Sequence, residues 1–174
     1  MNPPPARILV MAGEQSACIR IVGHANFISS IDFKTLLDEL RHLGCHSFVL
    51  DLSECVLMDS TFLGVLAGFG LKLSGGNGGQ AQPGIELLNS NARITELLDT
   101  LGVLHLFKLT HGPLAPPPQT GPLTHTPAHP SKAEVTRACL EAHQTLMDIN
   151  PANVARFKEV TRFLSENLQK VKTP

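Results

Sequence analysis

The stretch Met58-Asp59-Ser60-Thr61-Phe62-Leu63-Gly64 joins two segments of different character. Upstream of it, the apolar run at residues 47–52 is typical of a buried strand in a parallel sheet. Downstream, apolar residues recur through residues 63–73 at the spacing of a helix. An Asp-Ser pair between a strand and a helix can cap the free N–H groups of the helix. A phosphate there would meet the positive end of the helix dipole, so the stretch suits a phosphorylation switch.

The elements around this stretch alternate between strands and helices. Two short apolar runs, at residues 7–11 and 17–22, flank turn-forming residues and predict a β-hairpin. The remaining predictions are a helix capped by Ser29 or Ser30 and ended by Gly44, a strand at residues 85–89, a helix capped by Asn91 and ended by Gly102, and a strand at residues 104–109. This alternation predicts an α/β fold in which a mixed, mostly parallel sheet is layered against helices.

The helix after Ser60 contains Gly64 and Gly68, which lie four residues apart and therefore on one side of the helix. Each glycine in a helix interior costs about 1 kcal/mol relative to alanine. Two such glycines indicate either that this helix packs closely within its own fold or that it offers a flat surface to a partner.

The chain divides into four parts by composition. The composition predicts a disordered lead at residues 1–6 and the α/β domain at residues 7–110. It predicts a proline-rich linker at residues 111–130 and two helices at residues 131–174. The first of these helices begins with a capping box, Ser131 and Glu134, and is expected to pack on the α/β domain. The second starts at Asn150-Pro151 and is either a docked helix or a homodimerisation element.

The composition excludes several classes of function. The 174 residues are 43% hydrophobic and carry a net charge of −1, so no basic excess predicts nucleic-acid binding. No apolar run approaches the roughly 18 residues of a membrane span, and the N-terminus has no signal-peptide pattern, so a cytoplasmic protein is expected. The four cysteines and eight histidines are scattered, so neither a metal site nor a cofactor is predicted.

The hairpin, the following helix, the strand ending in Asp51-Leu52-Ser53 and the Met58-to-Gly64 stretch together resemble the STAS family over roughly residues 7–109. That family includes the bacterial anti-sigma-factor antagonists. The resemblance implies a STAS-like fold with a C-terminal helical extension, whose helix from Ser131 would be the family's last helix. It implies a non-enzymatic regulator of transcription that is phosphorylated on Ser60, or less readily Thr61, by an anti-sigma factor serine kinase. The unphosphorylated protein would bind that kinase, which then releases a sigma factor.

The same resemblance implies a partner-binding surface around the phosphorylated serine. Its residues would be Asn26, Asp59, Ser60, Thr61, Phe62, Leu63 and Gly64. Members of the family usually carry glycine where Phe62 stands, so this side chain either packs inward or changes the contact surface. Asn26 lies where an acidic residue is common, and it could hydrogen-bond near Ser60 without adding charge.

Three other interpretations remain open. The domain could serve as an accessory subunit of a lipid transporter, or as a stress-signalling scaffold, through the same surface. An enzyme with Ser60 as nucleophile would need a Gly-x-Ser-x-Gly turn, which is absent, and a histidine such as His105 nearby. Finally, Asp59-Ser60 could simply cap a helix.

Overall fold

The computed structural model describes residues 4, 6–74, 84–115, 121–123 and 129–172. Most of the predicted disordered lead and half of the predicted proline-rich linker therefore lie outside the described residues. Within the described ranges, no helix combines the length and apolar character that crossing a bilayer requires.

A mixed β-sheet forms the centre of the fold. Its strands are β1 (Arg7–Ala12), β2 (Ser16–Ala25), β3 (Ser47–Asp51), β4 (Cys55–Met58), β5 (Ile85–Leu88), β6 (Lys108–Thr110) and β7 (Gly121–Leu123). The strand order is β6-β5-β3-β2-β1-β7, and β4 pairs with β2 outside this path. The β1–β2 and β1–β7 pairs are antiparallel, whereas β2–β3, β3–β5, β5–β6 and β2–β4 are parallel. The predicted hairpin and mostly parallel sheet are thus confirmed.

Besides β1, strand β2 pairs first with β3 and then with β4. Its first half pairs with β3, and its last residues pair with β4 after an irregularity at Gly23. Gly23 has a φ of +95°, a conformation that suits glycine at a bulge. As a result, the ends of β2 and β4 lie side by side, and each leads directly into a helix.

Five α-helices surround the sheet in the described residues: α1 (Phe27–His42), α2 (Ser60–Ser74), α3 (Ala92–Thr100), α4 (Lys132–Ile149) and α5 (Ala152–Lys172). The predicted caps at Asn91 and Ser131 are confirmed by their hydrogen bonds to Ile94 and Glu134. The predicted cap of α1 was wrong: Asn26, not Ser29 or Ser30, accepts the first free N–H groups, and Ser29 completes the capping box.

The structure differs from the predicted pattern in three other places. Strand β4 was not predicted; it is a short strand whose backbone partner is the end of β2, distant in sequence. The strand expected at residues 104–109 is a 3₁₀ turn at Leu104–Leu106 followed by the short strand β6. Strand β7 lies inside the segment assigned to a linker; it pairs with β1 and forms an edge of the sheet, a position that tolerates Pro122.

The helix pair α4–α5 packs beside α2. Gly64 lies so close to α4 that a β-carbon there would come within 2.5 Å of the carbonyl oxygen of Ala142. Helix α5 packs mainly on α4, and the buried Asn153 side chain at its start donates to the carbonyls of Leu101 and Leu146. The outer side of α5 exposes Val160, Phe163 and Val171, so homodimerisation through this helix stays a prediction.

Candidate functional site

The candidate site lies where α1 and α2 begin. The register of β2 and β4 places Ala25 opposite Met58, and the backbone N–H of Asp59 donates to the carbonyl of Ala25 at 2.9 Å. The two helix starts are therefore neighbours, although 33 positions separate their first residues, Phe27 and Ser60.

The carboxylate of Asp59 connects the two helix starts. One oxygen accepts the N–H of Phe62 at 2.8 Å, so Asp59 is the N-cap of α2. The other oxygen accepts the N–H of Phe27 at 2.7 Å, in the first turn of α1. Burial raises the pKa of the Asp59 carboxyl, against the opposing effects of these hydrogen bonds, of the Thr61 N–H and of the nearby His143.

Ser60 is the first residue of α2, and its hydroxyl is bound by a histidine of α4. The Ser60 Oγ lies 2.9 Å from Nε2 of His143. The other ring nitrogen, Nδ1, lies 2.6 Å from the carbonyl oxygen of Cys139. A carbonyl can only accept, so Nδ1 carries a proton; in the neutral ring Nε2 is then the acceptor, and the Ser60 hydroxyl donates to it. The ring also packs on Phe157 of α5, at a centroid distance of 4.9 Å.

The other predicted site residues occupy different environments. Asn26 caps α1 beside Asp59. Thr61 is 5% exposed and donates to the sulfur of Cys139 at 3.6 Å, whereas Ser60 is partly exposed, so Ser60 is the more accessible of the two residues. Phe62 and Leu63 are fully buried, and Gly64 is covered by α4, so a partner docking on this structure would not touch these three residues. In this structure, fewer residues around Ser60 are open to a partner than the sequence predicted.

Two features of the site escaped the sequence pattern. The histidine that reaches Ser60 is His143, not His105, and its position next to Ala142 and Leu146 on the buried side of α4 was the available signal. The second feature is a pair of partly exposed apolar side chains at the two helix starts, Ile28 and Leu57, each 36% exposed.

A serine donating to a histidine is also the arrangement of a hydrolase nucleophile. Acyl transfer additionally needs backbone N–H groups free to bind an oxyanion. At the start of α2, the N–H groups of Phe62 and Thr61 bind the Asp59 carboxylate instead. The site therefore offers an activated hydroxyl beside a negative charge, which is a poor setting for a developing oxyanion.

The raised pKa of Asp59 predicts a pH-dependent contribution to stability. Serine at this position would still cap α2 but would neither ionise nor bridge to Phe27. For a carboxyl with a raised folded-state pKa, stability is highest below the unfolded-state value of about 3.9 and falls as the pH rises through the folded-state value. We therefore expect the stability advantage of wild type over Asp59→Ser, measured by urea unfolding across this pH range, to shrink as the pH rises.

Asp51 provides the matched control for this measurement. Burial disfavours its charge, but hydrogen bonds from Ser53 and the partner Arg20 at 2.8 Å outweigh burial and lower its pKa. Its contribution is present above about pH 3.9 and is lost as the pH falls. Asp51→Asn should therefore show the opposite trend, and an Asp59 curve that parallels the Asp51 curve would contradict the assignment.

Known structures of similar fold include two anti-sigma factor antagonists. SpoIIAA, in its unphosphorylated form, is 14% identical, with a TM-score of 0.47 over 63% of this chain and 90% of that chain. An antagonist from Mycobacterium paratuberculosis is 16% identical, with a TM-score of 0.50 over 63% of this chain and 88% of that one. No sequence model of a protein family matches the chain, and no curated protein does. The likeness to the mycobacterial structure shows that the chain has the STAS fold, as predicted.

Proposed function

We propose that the protein is an anti-sigma factor antagonist that works by partner switching. Its surface around Ser60 binds an anti-sigma factor with serine kinase activity, and phosphorylation of Ser60 ends the binding. The observation that carries this proposal is the position of Ser60. It is the first residue of α2 in a fold shared with anti-sigma factor antagonists, and as a residue it is more exposed than Thr61.

The setting of Ser60 explains why a phosphate would act on a partner. A phosphoserine adds about −1.5 to −2 charges at neutral pH. The N–H groups of Thr61 and Phe62 that could receive it already bind Asp59. Unless it displaces that carboxylate, the phosphate stays outside the N-terminus of α2, and its charge then lies at the contact surface beside Asp59.

The apolar side chains near Ser60 support a protein partner. Ile28 lies in the first turn of α1 and Leu57 lies near the end of β4, shortly before Asp59, and each is 36% exposed. Protein interfaces commonly combine apolar anchors with a polar group that must match the partner. A bulky charge placed next to these anchors would be desolvated on binding, which is why one modification can end the interaction.

The test is affinity capture from native cells with wild type, Ser60→Ala and Ser60→Asp, followed by mass spectrometry of partners and of Ser60. Ser47→Asp is the matched control. Ser47 is exposed and lies opposite Ser16, at the start of β2, whereas the site lies at its end. The same charge is thereby added at the far end of the sheet.

We expect wild type, Ser60→Ala and Ser47→Asp to capture a serine kinase of the anti-sigma type, and Ser60→Asp to lose it. Phosphate on Ser60 of the wild-type protein should accompany this pattern. Identical partners for all four proteins, with Ser60 unmodified, would contradict the proposal and leave Ser60 as a structural residue that joins α2 to α4 through His143. Capture of a membrane ATPase instead would identify a transporter accessory subunit.

A further inference from the structure

We propose that helix α4 responds to the phosphorylation state of Ser60, and that His143 is the residue through which it does so. In the unphosphorylated protein, α4 is held at Ser60 by a neutral hydrogen bond. In the phosphorylated protein, a charged His143 binds the phosphate and holds α4 more firmly across the site. The inference rests on the proposed modification of Ser60, but it requires no particular partner.

The starting state is defined by two hydrogen bonds of the imidazole ring. Nδ1 donates to the carbonyl of Cys139 at 2.6 Å, and Nε2 accepts from Ser60 at 2.9 Å. The first bond is made within α4 and does not depend on Ser60. It therefore fixes the ring with Nε2 directed at the hydroxyl, whatever is attached to that oxygen.

Phosphoryl transfer to Ser60 changes which groups donate and accept in its hydrogen bond with His143. The Ser60 oxygen forms a bond to the terminal phosphorus of a nucleoside triphosphate, the bond from that phosphorus to the leaving nucleoside diphosphate breaks, and the hydroxyl proton is released. Nε2 is the base within hydrogen-bond reach of that proton. Once protonated, the ring donates from both nitrogens, so Nε2–H can bind a phosphate oxygen while Nδ1–H stays on Cys139.

The surroundings favour the charged ring in the phosphorylated state. Asp59 is the carboxylate that interacts electrostatically with His143, and the phosphate would add a second negative group. The ring face on the α5 side is covered by the uncharged Phe157. Hydrogen bonds between charged groups are roughly twice as strong as neutral ones, so the contact gains strength when Ser60 is modified.

Helix α4 packs on α1, α2 and α5, but only a few of its side chains are buried there, so the hydrogen bond of one of them contributes to how firmly the helix is held. The buried residues of α4 are Ala142, His143 and Leu146. A cleft of about 170 Å³ remains between α1, α2 and α4, bordered by Leu37, Gly68 and Thr145. Across its rim, α4 and α1 are joined by the exposed ion pair Lys34–Glu141 at 3.1 Å. The Ser60–His143 bond is the contact that phosphorylation of Ser60 alters directly.

The test uses the full-length protein with phosphoserine incorporated at position 60 during synthesis, which requires no kinase. Hydrogen exchange of the α4 amides is compared between the phosphorylated and unmodified proteins. We expect exchange about tenfold slower in the phosphorylated form, the factor that corresponds to about 1.4 kcal/mol. NMR of the imidazole nitrogens should show Nε2 of His143 protonated only in that form.

Two variants separate this mechanism from a general change in stability. His143→Gln cannot become charged and should lose most of the slowing caused by phosphorylation. Lys34→Gln removes the ion pair to Glu141, so it should speed α4 exchange in both forms and leave the effect of phosphorylation intact.

Unchanged or faster α4 exchange on phosphorylation would overturn the inference, as would slowing that persists in His143→Gln. These results are independent of the capture experiment. Slower exchange with no kinase captured would remove only the proposed partner, and a captured kinase with unchanged exchange would remove only the role of α4.

Discussion

Replacing Phe62 by alanine should lower the free energy of unfolding by about 3–5 kcal/mol, the usual cost of deleting a buried phenylalanine ring. The Phe62 side chain is fully buried and stacks on Phe33 of α1, with ring centroids 4.6 Å apart. The ring therefore fills the space between α1 and α2 directly beneath the Ser60 site. Alanine would leave a cavity there that neighbouring helices can only partly close.

Urea unfolding of wild type and Phe62→Ala measures this difference, with Phe163→Ala as the control. Phe163 is 62% exposed on α5, so its removal should change stability by less than about 0.5 kcal/mol. Similar losses from the two variants would contradict the assignment of Phe62 to the core. A large loss would also decide between the two roles left open for this residue, packing inward or changing the contact surface.

Much of the fold follows from local signals in the sequence. The hairpin, the strand before the Asp59-Ser60 pair and the caps at Asn91 and Ser131 depend on residues within a few positions of one another. Asp59 and Ser60 were assigned to the start of a helix for the same reason. The STAS fold could be predicted because these local signals occur in the right order along the chain.

The errors arise where several residues could play one role or where pairing is distant. Asn26 and Ser29 are both good capping residues, and the sequence alone does not say which of them precedes the first turn. Strand β4 gains its backbone partners only from the end of β2. Strand β7 contains Pro122, which is acceptable because β7 is itself an edge strand of the described sheet and pairs with β1.

The contacts within the site were even harder to predict from the sequence, because they join residues far apart in the chain. Ser60 and His143 are separated by 83 positions, and no periodic pattern links a residue of α2 to a particular residue of α4. The bridge from Asp59 to Phe27 spans 32 positions and depends on the irregularity that lets β2 pair with both β3 and β4. Sequence patterns identified Ser60 as the candidate for modification, whereas the residues that contact it are a product of tertiary structure.

Gly64→Ala should destabilise the protein relative to Gly68→Ala by about 2 kcal/mol or more. A β-carbon at position 64 would lie 2.5 Å from the carbonyl oxygen of Ala142 and 2.7 Å from its β-carbon, so the α4 backbone must move. At position 68 the nearest atom is the Thr145 methyl carbon at 3.3 Å, on a side chain that can turn away. Alanine improves helix propensity equally at both positions, so their difference isolates the contact with α4.

Urea unfolding gives the difference in stability, and hydrogen exchange of the α4 amides shows where it arises. Equal stability in the two variants would contradict close packing of α4 on α2 and would favour the alternative that both glycines form a flat surface for a partner. If α4 is displaced in Gly64→Ala, His143 moves with it, because it follows Ala142 in the same helix. The Ser60 hydroxyl is then released without any change to Ser60 or His143, so the variant separates the position of α4 from the chemistry of the site.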